Sequence, residues 1–278
     1  MKKILSFALI SILGLNTFAF DNSAFIKPNG NVKNYVKTDY TITSKFGEYF
    51  RTPSAKFIHT FNENNLEIEN SEITLDGKQI DKISYEYDAQ GNLITQTCAD
   101  AEGKILWKVS YIFKNNLLTE ECEYNDKNIL IGKSIYKYDG KNICEESFYN
   151  GSGALTWKNT YKYDENGKCS EKYSYFSNGQ LESIKKFKYN SVNKIQEIIT
   201  YFDENESNSI QKQVYHYDDK NCLIEISTYN STNQVYLRQL YKNDSNGNVI
   251  KITTYNVAKK FGTTVNELIG MSDFTYEY

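Results

Sequence analysis

One short phrase recurs along this chain at a nearly constant interval, and a repeat of that length decides the architecture before any local detail does. It reads Tyr85-Glu-Tyr87-Asp88 and returns as Tyr136-Lys-Tyr138-Asp139, Tyr161-Lys-Tyr163-Asp164 and Tyr215-His-Tyr217-Asp218. Looser copies begin at His59, Tyr111, Phe187 and Tyr241, so the step is 25 to 28 residues throughout.

Each unit has the same anatomy. A strand ending in Tyr-x-Tyr meets a turn rich in Asp, Asn and Gly, such as Asp88 to Asn92 or Asp164 to Gly167. A second strand follows and closes on another aromatic (Tyr124, Tyr149, Tyr175, Tyr201, Tyr229, Tyr255), and a second turn then restarts the pattern. Asn and Gly accept positive φ and Asp bonds its own backbone, so these are tight-turn residues. Two strands and two turns fill one step, which makes each unit a β-hairpin. Alternation agrees: Leu155, Trp157, Tyr161 and Tyr163 share one face, opposite Thr156, Lys158, Thr160 and Lys162.

The expected fold is therefore all-β, a long antiparallel meander of about sixteen strands. Accumulated twist curls it into a spiral, shell or barrel with the tyrosines inward. The core pairs are Tyr85 and Tyr87, Tyr111 and Phe113, Tyr136 and Tyr138, Tyr161 and Tyr163, Phe187 and Tyr189, and Tyr215 and Tyr217. The closing aromatics are expected to fill the gaps between these pairs on the same face. The organisation reads as a leader over 1–19, capping strands over 20–56 with a turn at Pro53, hairpin repeats over 57–255, and an atypical closing hairpin over 256–278. In that last part Val257 to Gly270 has helical spacing and predicts a short helical insertion.

Met1-Lys2-Lys3 followed by the apolar run Ile4 to Leu15 and a small-residue segment ending at Ala19 has the layout of a secretory signal peptide. That predicts an exported chain, periplasmic, surface-bound or secreted, cleaved near Ala19, with no membrane-spanning helix. Formal charge is −3 for the whole sequence and −5 without the leader lysines, and such acidity argues against nucleic-acid binding. Five cysteines, Cys98, Cys122, Cys144, Cys169 and Cys222, show no metal-site spacing and fall mostly where other copies carry Leu or Ile. They read as small core residues, with a disulfide such as Cys144 to Cys169 open to an exported protein.

The segment Tyr85 to Leu93, Tyr-x-Tyr-Asp-x-x-Gly-Asn-Leu, resembles the YD repeat of RHS (rearrangement hot spot) proteins and their short exported relatives. The likeness spans roughly 57–255 and implies curled β-sheet shells or spirals; large members enclose a C-terminal toxin, and no toxin-sized domain is expected after the repeats here. Ala258 to Leu268 is similar to the helical half of a lysin-motif (LysM) peptidoglycan-binding module, although the Gly-Asp-Thr-Leu opening of that module is missing.

No catalytic pattern emerges. The sequence holds no nucleophile elbow, P-loop or dinucleotide motif, and its two histidines, His59 and His216, sit inside the repeat strands. No metal site and no cofactor are expected. Trp107 and Trp157 stand at the same phase, each four residues before a repeat start. They form either a candidate platform for sugars or a partner, or core filling beside Tyr111 and Tyr161. The chain is expected to be a non-enzymatic binding or structural module acting on a partner protein or an envelope glycan. The alternative is a toxin-associated RHS-like shell or a neutralising partner of a secreted effector. Oligomeric state is left open.

Overall fold

The computed structural model describes residues 28–203, 205–206, 209–260 and 262–278. The leader over 1–19 lies outside these, as does part of the loop at Asp203 to Asn208. Eighteen strands follow one another: β1 (Asn34–Lys45), β2 (Glu48–Phe61), β3 (Glu67–Ile73), β4 (Gln79–Tyr87), β5 (Leu93–Asp100) and β6 (Ile105–Lys114). Next come β7 (Leu117–Asn125), β8 (Leu130–Asp139), β9 (Asn142–Asn150), β10 (Leu155–Tyr163), β11 (Cys169–Phe176) and β12 (Leu181–Tyr189). The last are β13 (Ile195–Tyr201), β14 (Ser209–Tyr217), β15 (Leu223–Asn230), β16 (Val235–Asn243), β17 (Val249–Lys260) and β18 (Thr263–Glu277).

Every strand pairs antiparallel with its neighbours in sequence, and β1 also pairs with β18 from Asn34↔Glu277 to Thr41↔Gly270. The meander is therefore a closed barrel, not an open spiral, because this seam satisfies both edges that a curled sheet would leave bare. The lead-in strands do not merely cap the first repeat; they supply the seam. Eighteen strands about 4.8 Å apart span about 86 Å measured across the strands; at the usual barrel tilt of about 40° that is a perimeter of about 113 Å, or about 36 Å across if circular.

The turns explain the Asp and Asn signature. Asp88 accepts N–H bonds from Gln90 and Asn92 through Oδ1, while the Gly91 N–H donates to the Asp88 carbonyl. The fourth turn residue needs positive φ, met by Gly91 (81°) in one copy and Asn193 (62°) in another.

The second aromatic carries a bond of its own in every copy where it is a tyrosine, Phe61 and Phe113 having no hydroxyl to donate. Tyr138 Oη donates to the Leu118 carbonyl at 2.7 Å, and Leu118 lies beyond the last β7–β8 ladder pair, Glu120↔Ile135. Tyr87, Tyr163, Tyr189, Tyr217 and Tyr276 do the same to the carbonyls of Glu67, Ile143, Cys169, Ile195 and Val249. Where the sequence departs from Tyr, Asn243 Nδ2 reaches the Leu223 carbonyl instead. Each side chain thus extends the ladder past the point where backbone pairing stops, and so ties one hairpin to the next.

Several sequence-based expectations need correction. No helix occurs among the described residues; Val257 to Gly270 belongs to the long β17–β18 hairpin. Its helix-like spacing comes from a bulge: Thr254 faces Gly270 and Tyr255 faces Leu268, so Ile269 is an extra residue that breaks the alternation. Pro53 marks no turn. It sits at a bulge in β2, where Asp39 faces Ala55 and Tyr40 faces Pro53, a position that tolerates a missing donor. The β1–β2 turn is Phe46-Gly47, with both residues at positive φ.

The cysteines are all free, with Cys98, Cys122 and Cys169 buried. The closing aromatics also lie elsewhere than expected. Tyr124, Tyr149, Tyr175, Tyr229 and Tyr255 pair with Lys108, Lys133, Lys158, Lys212 and Arg238 on the face opposite the Tyr-x-Tyr rows.

If the tyrosine hydroxyls extend the ladder, Tyr138→Phe lowers unfolding free energy by about 1 kcal/mol, and Asn243→Leu does likewise. Denaturant titration measures both. Unchanged midpoints would show that these bonds contribute nothing.

Candidate functional site

In a closed single-layer barrel, side chains converge on the concave face, so the face of buried tyrosines is the inner wall. Two buried clusters run along it: one from β5 to β9 (Leu93, Val109, Tyr111, Leu118, Tyr136, Ile143), the other from β11 round through β18 to β2. All twelve expected core aromatics stand on this wall in two rows.

The row of first aromatics shows where the copies diverge. Between successive aromatics the paired residue is Gln96, Glu121, Glu146 or Lys172 on β5, β7, β9 and β11. On β13, β15 and β17 the same place holds Ile198, Ile226 and Ile252. One side of the inner wall is therefore polar and the other apolar, although repeat phase is identical.

On the polar side the groups bond one another. Tyr136 Oη donates to Glu121 at 3.2 Å, Tyr161 Oη to Glu146 at 2.6 Å, and Asn159 Nδ2 to Glu146 at 3.0 Å. Burial pushes the Glu121 carboxyl up to about 8, with the charges of Glu123 and Glu146 adding to the effect. Glu121 is thus protonated near neutral pH. Lys172 and Lys185 face each other across β11 and β12. Burial, reinforced by Lys172, lowers Lys185 to about 8; Lys172 is also lowered by burial.

Beside this network lies a flat aromatic surface. Phe148 and Trp157 stack with centroids 5.5 Å apart and planes 8° from parallel, and Phe176 pairs with Trp157 from the other side. The stack needs a glycine: a Cβ at Gly132 would sit 2.4 Å from the Phe148 ring. Ser134, which faces Phe148 directly, is small as well. Trp157 is half-buried. Trp107 stands at the same level on β6, four strands away or about 19 Å along the sheet, packed against the β5–β9 cluster. The repeat pattern marked Trp157 but could not find Phe148, Gly132 or Glu146. Their significance depends on cross-strand register, which no single strand shows.

His59 is held in a buried pair. Its Nδ1 lies 2.6 Å from Glu67 Oε1, its ring stacks on Tyr35 at 4.3 Å, and both members of the pair are buried, at 2% and 5% exposure. Among the described residues no cluster of three or more His, Cys, Asp or Glu is placed to hold a metal.

The outer face is charged. One basic residue per copy, three before the first aromatic, rings the barrel: Lys56, Lys82, Lys108, Lys133, Lys158, Lys212 and Arg238, with Ile184 in the remaining place. Carboxylates on adjoining strands partner four of them, as in Lys133–Glu120 (3.2 Å) and Arg238–Glu225 (3.1 Å).

No family model and no curated relative matches this chain. Among solved structures it is similar to a porin-like protein from Bacteroides uniformis, at 9% identity and a TM-score of 0.49 over 90% of this chain and 99% of that one. It is also similar to a porin-like protein from Bacteroides vulgatus, at 15% identity and a TM-score of 0.39 over 88% and 98%.

Protonation of Glu121 has a stability consequence. Between about 4.5 and about 8 the folded chain holds a proton that the unfolded chain has released, so stability falls as pH rises through that window. Glu121→Gln removes the loss. Its melting temperature should exceed the parent's at about pH 8.5 and match it at about pH 4. Parallel pH profiles for the two chains would show that Glu121 is ionised in the fold.

Proposed function

We propose that this chain is an exported, non-enzymatic barrel that binds an envelope glycan on its inner wall. The observation that carries the reading is the Phe148–Trp157 stack beside Glu146, Asn159 and Tyr161. A sugar ring offers an apolar face to stack on aromatic carbon and a rim of hydroxyls to bond carboxylate, amide and phenol. The leader-like residues up to Ala19 support export.

The charged outer ring supports a barrel that stands in water. A Lys or Arg facing lipid at mid-bilayer costs about 2–4 kcal/mol, and seven such residues circle this wall. On this reading the mature chain is purified without detergent. Porin-style lipid embedding would instead require detergent for extraction and a lipid-facing belt that these lysines do not provide.

A second reading keeps the RHS-like resemblance of the Tyr-x-Tyr-Asp phrase and makes the closed wall a small shell or a neutralising partner for a secreted effector. A toxin gene beside this one would favour it.

Glycan arrays and sacculus pull-downs with the mature chain test the first reading. Trp157→Ala should weaken binding at least about tenfold, and Gly132→Ala should weaken it too by displacing Phe148. Binding that ignores both substitutions would remove the site from the inner wall. Failure to retain any envelope glycan would end the reading.

A further inference from the structure

Two stretches break the repeat, one at each end of the sequence, and closure puts them side by side. Beyond the pair Thr41↔Gly270 β1 and β18 no longer pair, and the β1–β2 and β17–β18 hairpins run on paired only within themselves. β2 gains its first partner on β3 only at Lys56↔Ile73, and β17 loses β16 after Asn256↔Leu237. Residues 43–54 are exposed without interruption.

The sequence Lys45-Phe46-Gly47 of the β1–β2 turn recurs as Lys260-Phe261-Gly262. A two-residue hairpin of this kind favours Asn-Gly. Here a phenylalanine takes the positive-φ place (Phe46, 54°) and is fully exposed, at 104%. A bulky residue in that conformation is a genuine outlier, and nothing in the barrel uses its ring. Tyr49 and Phe50, about half exposed, stand beside it.

The tips also differ from the rest of the chain in charge. Residues 42–54 and 257–267 contain Lys45, Arg51, Lys259 and Lys260 against Glu48 and Glu267, in a chain that is negative overall. Arg51 bonds Asp273, which lies back in the sheet, and lies over the Tyr40 ring. Lys260 is raised first by its hydrogen bond to Glu267, with a smaller electrostatic contribution from Tyr49 of the other hairpin.

We propose that these paired tips dock the barrel onto an anionic lipid surface, with Phe46, Tyr49 and Phe50 entering the interface and the lysines meeting lipid phosphates. Projecting aromatic knobs flanked by cations suit a fluid interface, which needs no matching pocket and rewards apolar area and basic charge together. The contact is peripheral and is independent of the inner-wall site.

Co-sedimentation of the mature chain with phosphatidylglycerol–phosphatidylcholine vesicles, compared with pure phosphatidylcholine, tests this. Binding to the anionic vesicles is expected, together with a fall of at least about tenfold for Phe46→Asn. Asn is favoured at that turn position, so the variant should melt no lower than the parent, which separates loss of binding from loss of fold. Lys259→Glu with Lys260→Glu should abolish the preference for anionic vesicles. Equal binding to neutral vesicles, no vesicle binding, or Phe46-dependent dimerisation on a sizing column would each overturn the proposal. Glycan retention that survives Phe46→Asn would leave the inner-wall reading intact.

Discussion

An eighteen-stranded sheet has two edges of unpaired peptide groups, and the pairing of β1 with β18 removes both. The remaining features depend on that seam. Closure makes one face concave, and concavity allows tyrosines on a single-layer sheet to be buried sideways by their neighbours in place of a second layer. The hydroxyl of each second tyrosine then bonds the carbonyl where its ladder ends, so the hairpins hold together at the Tyr-x-Tyr rim as well as along the strands. At that same rim the Asn248 side chain accepts from the Asn29 N–H, donates to the Asn29 carbonyl and donates to Tyr278 Oη, securing both flanks of the seam.

Against this regular frame, the departures stand out. The inner row changes from Gln96, Glu121, Glu146 and Lys172 to Ile198, Ile226 and Ile252 without any change of backbone. Isoleucine suffices to bury the row, so the polar half serves something other than closure. The outer ring behaves oppositely, keeping a basic residue in seven of eight copies. Its alkyl stems lie over small buried neighbours such as Ser71, Ser147 and Ser227, which is a structural task for a residue whose charge stays in water.

Much of the fold was legible in the sequence because turns and alternation are local. Asp88-Ala-Gln-Gly91 specifies its turn wherever it stands, and Trp157 to Tyr163 shows its two faces unaided, whereas Leu155, read on the same face as Trp157, is set opposite Tyr149 on the outer face by a bulge at Thr156. What escaped depends on pairing. Bulges beside nearly every turn shift the register by one, which turned the closing tyrosines outward and gave Val265, Leu268 and Ile269 a helical spacing within a strand. Closure escaped as well, since Asn34 and Glu277 meet only after all the intervening registers have been summed. The Phe148–Trp157 stack and its need for Gly132 belong to the same class. They join residues 9 and 16 apart on three strands, with no motif to announce them.

The seam is the claim on which all of this rests, and a crosslink tests it most directly. Val36 and Thr275 face each other across β1 and β18. With the five native cysteines replaced by serine or alanine, Val36→Cys with Thr275→Cys should oxidise nearly completely in the folded monomer at any dilution. The product should migrate on denaturing gels as a compact loop of almost the whole chain. A closed barrel predicts that outcome, whereas an open spiral would leave both thiols free or joined between molecules.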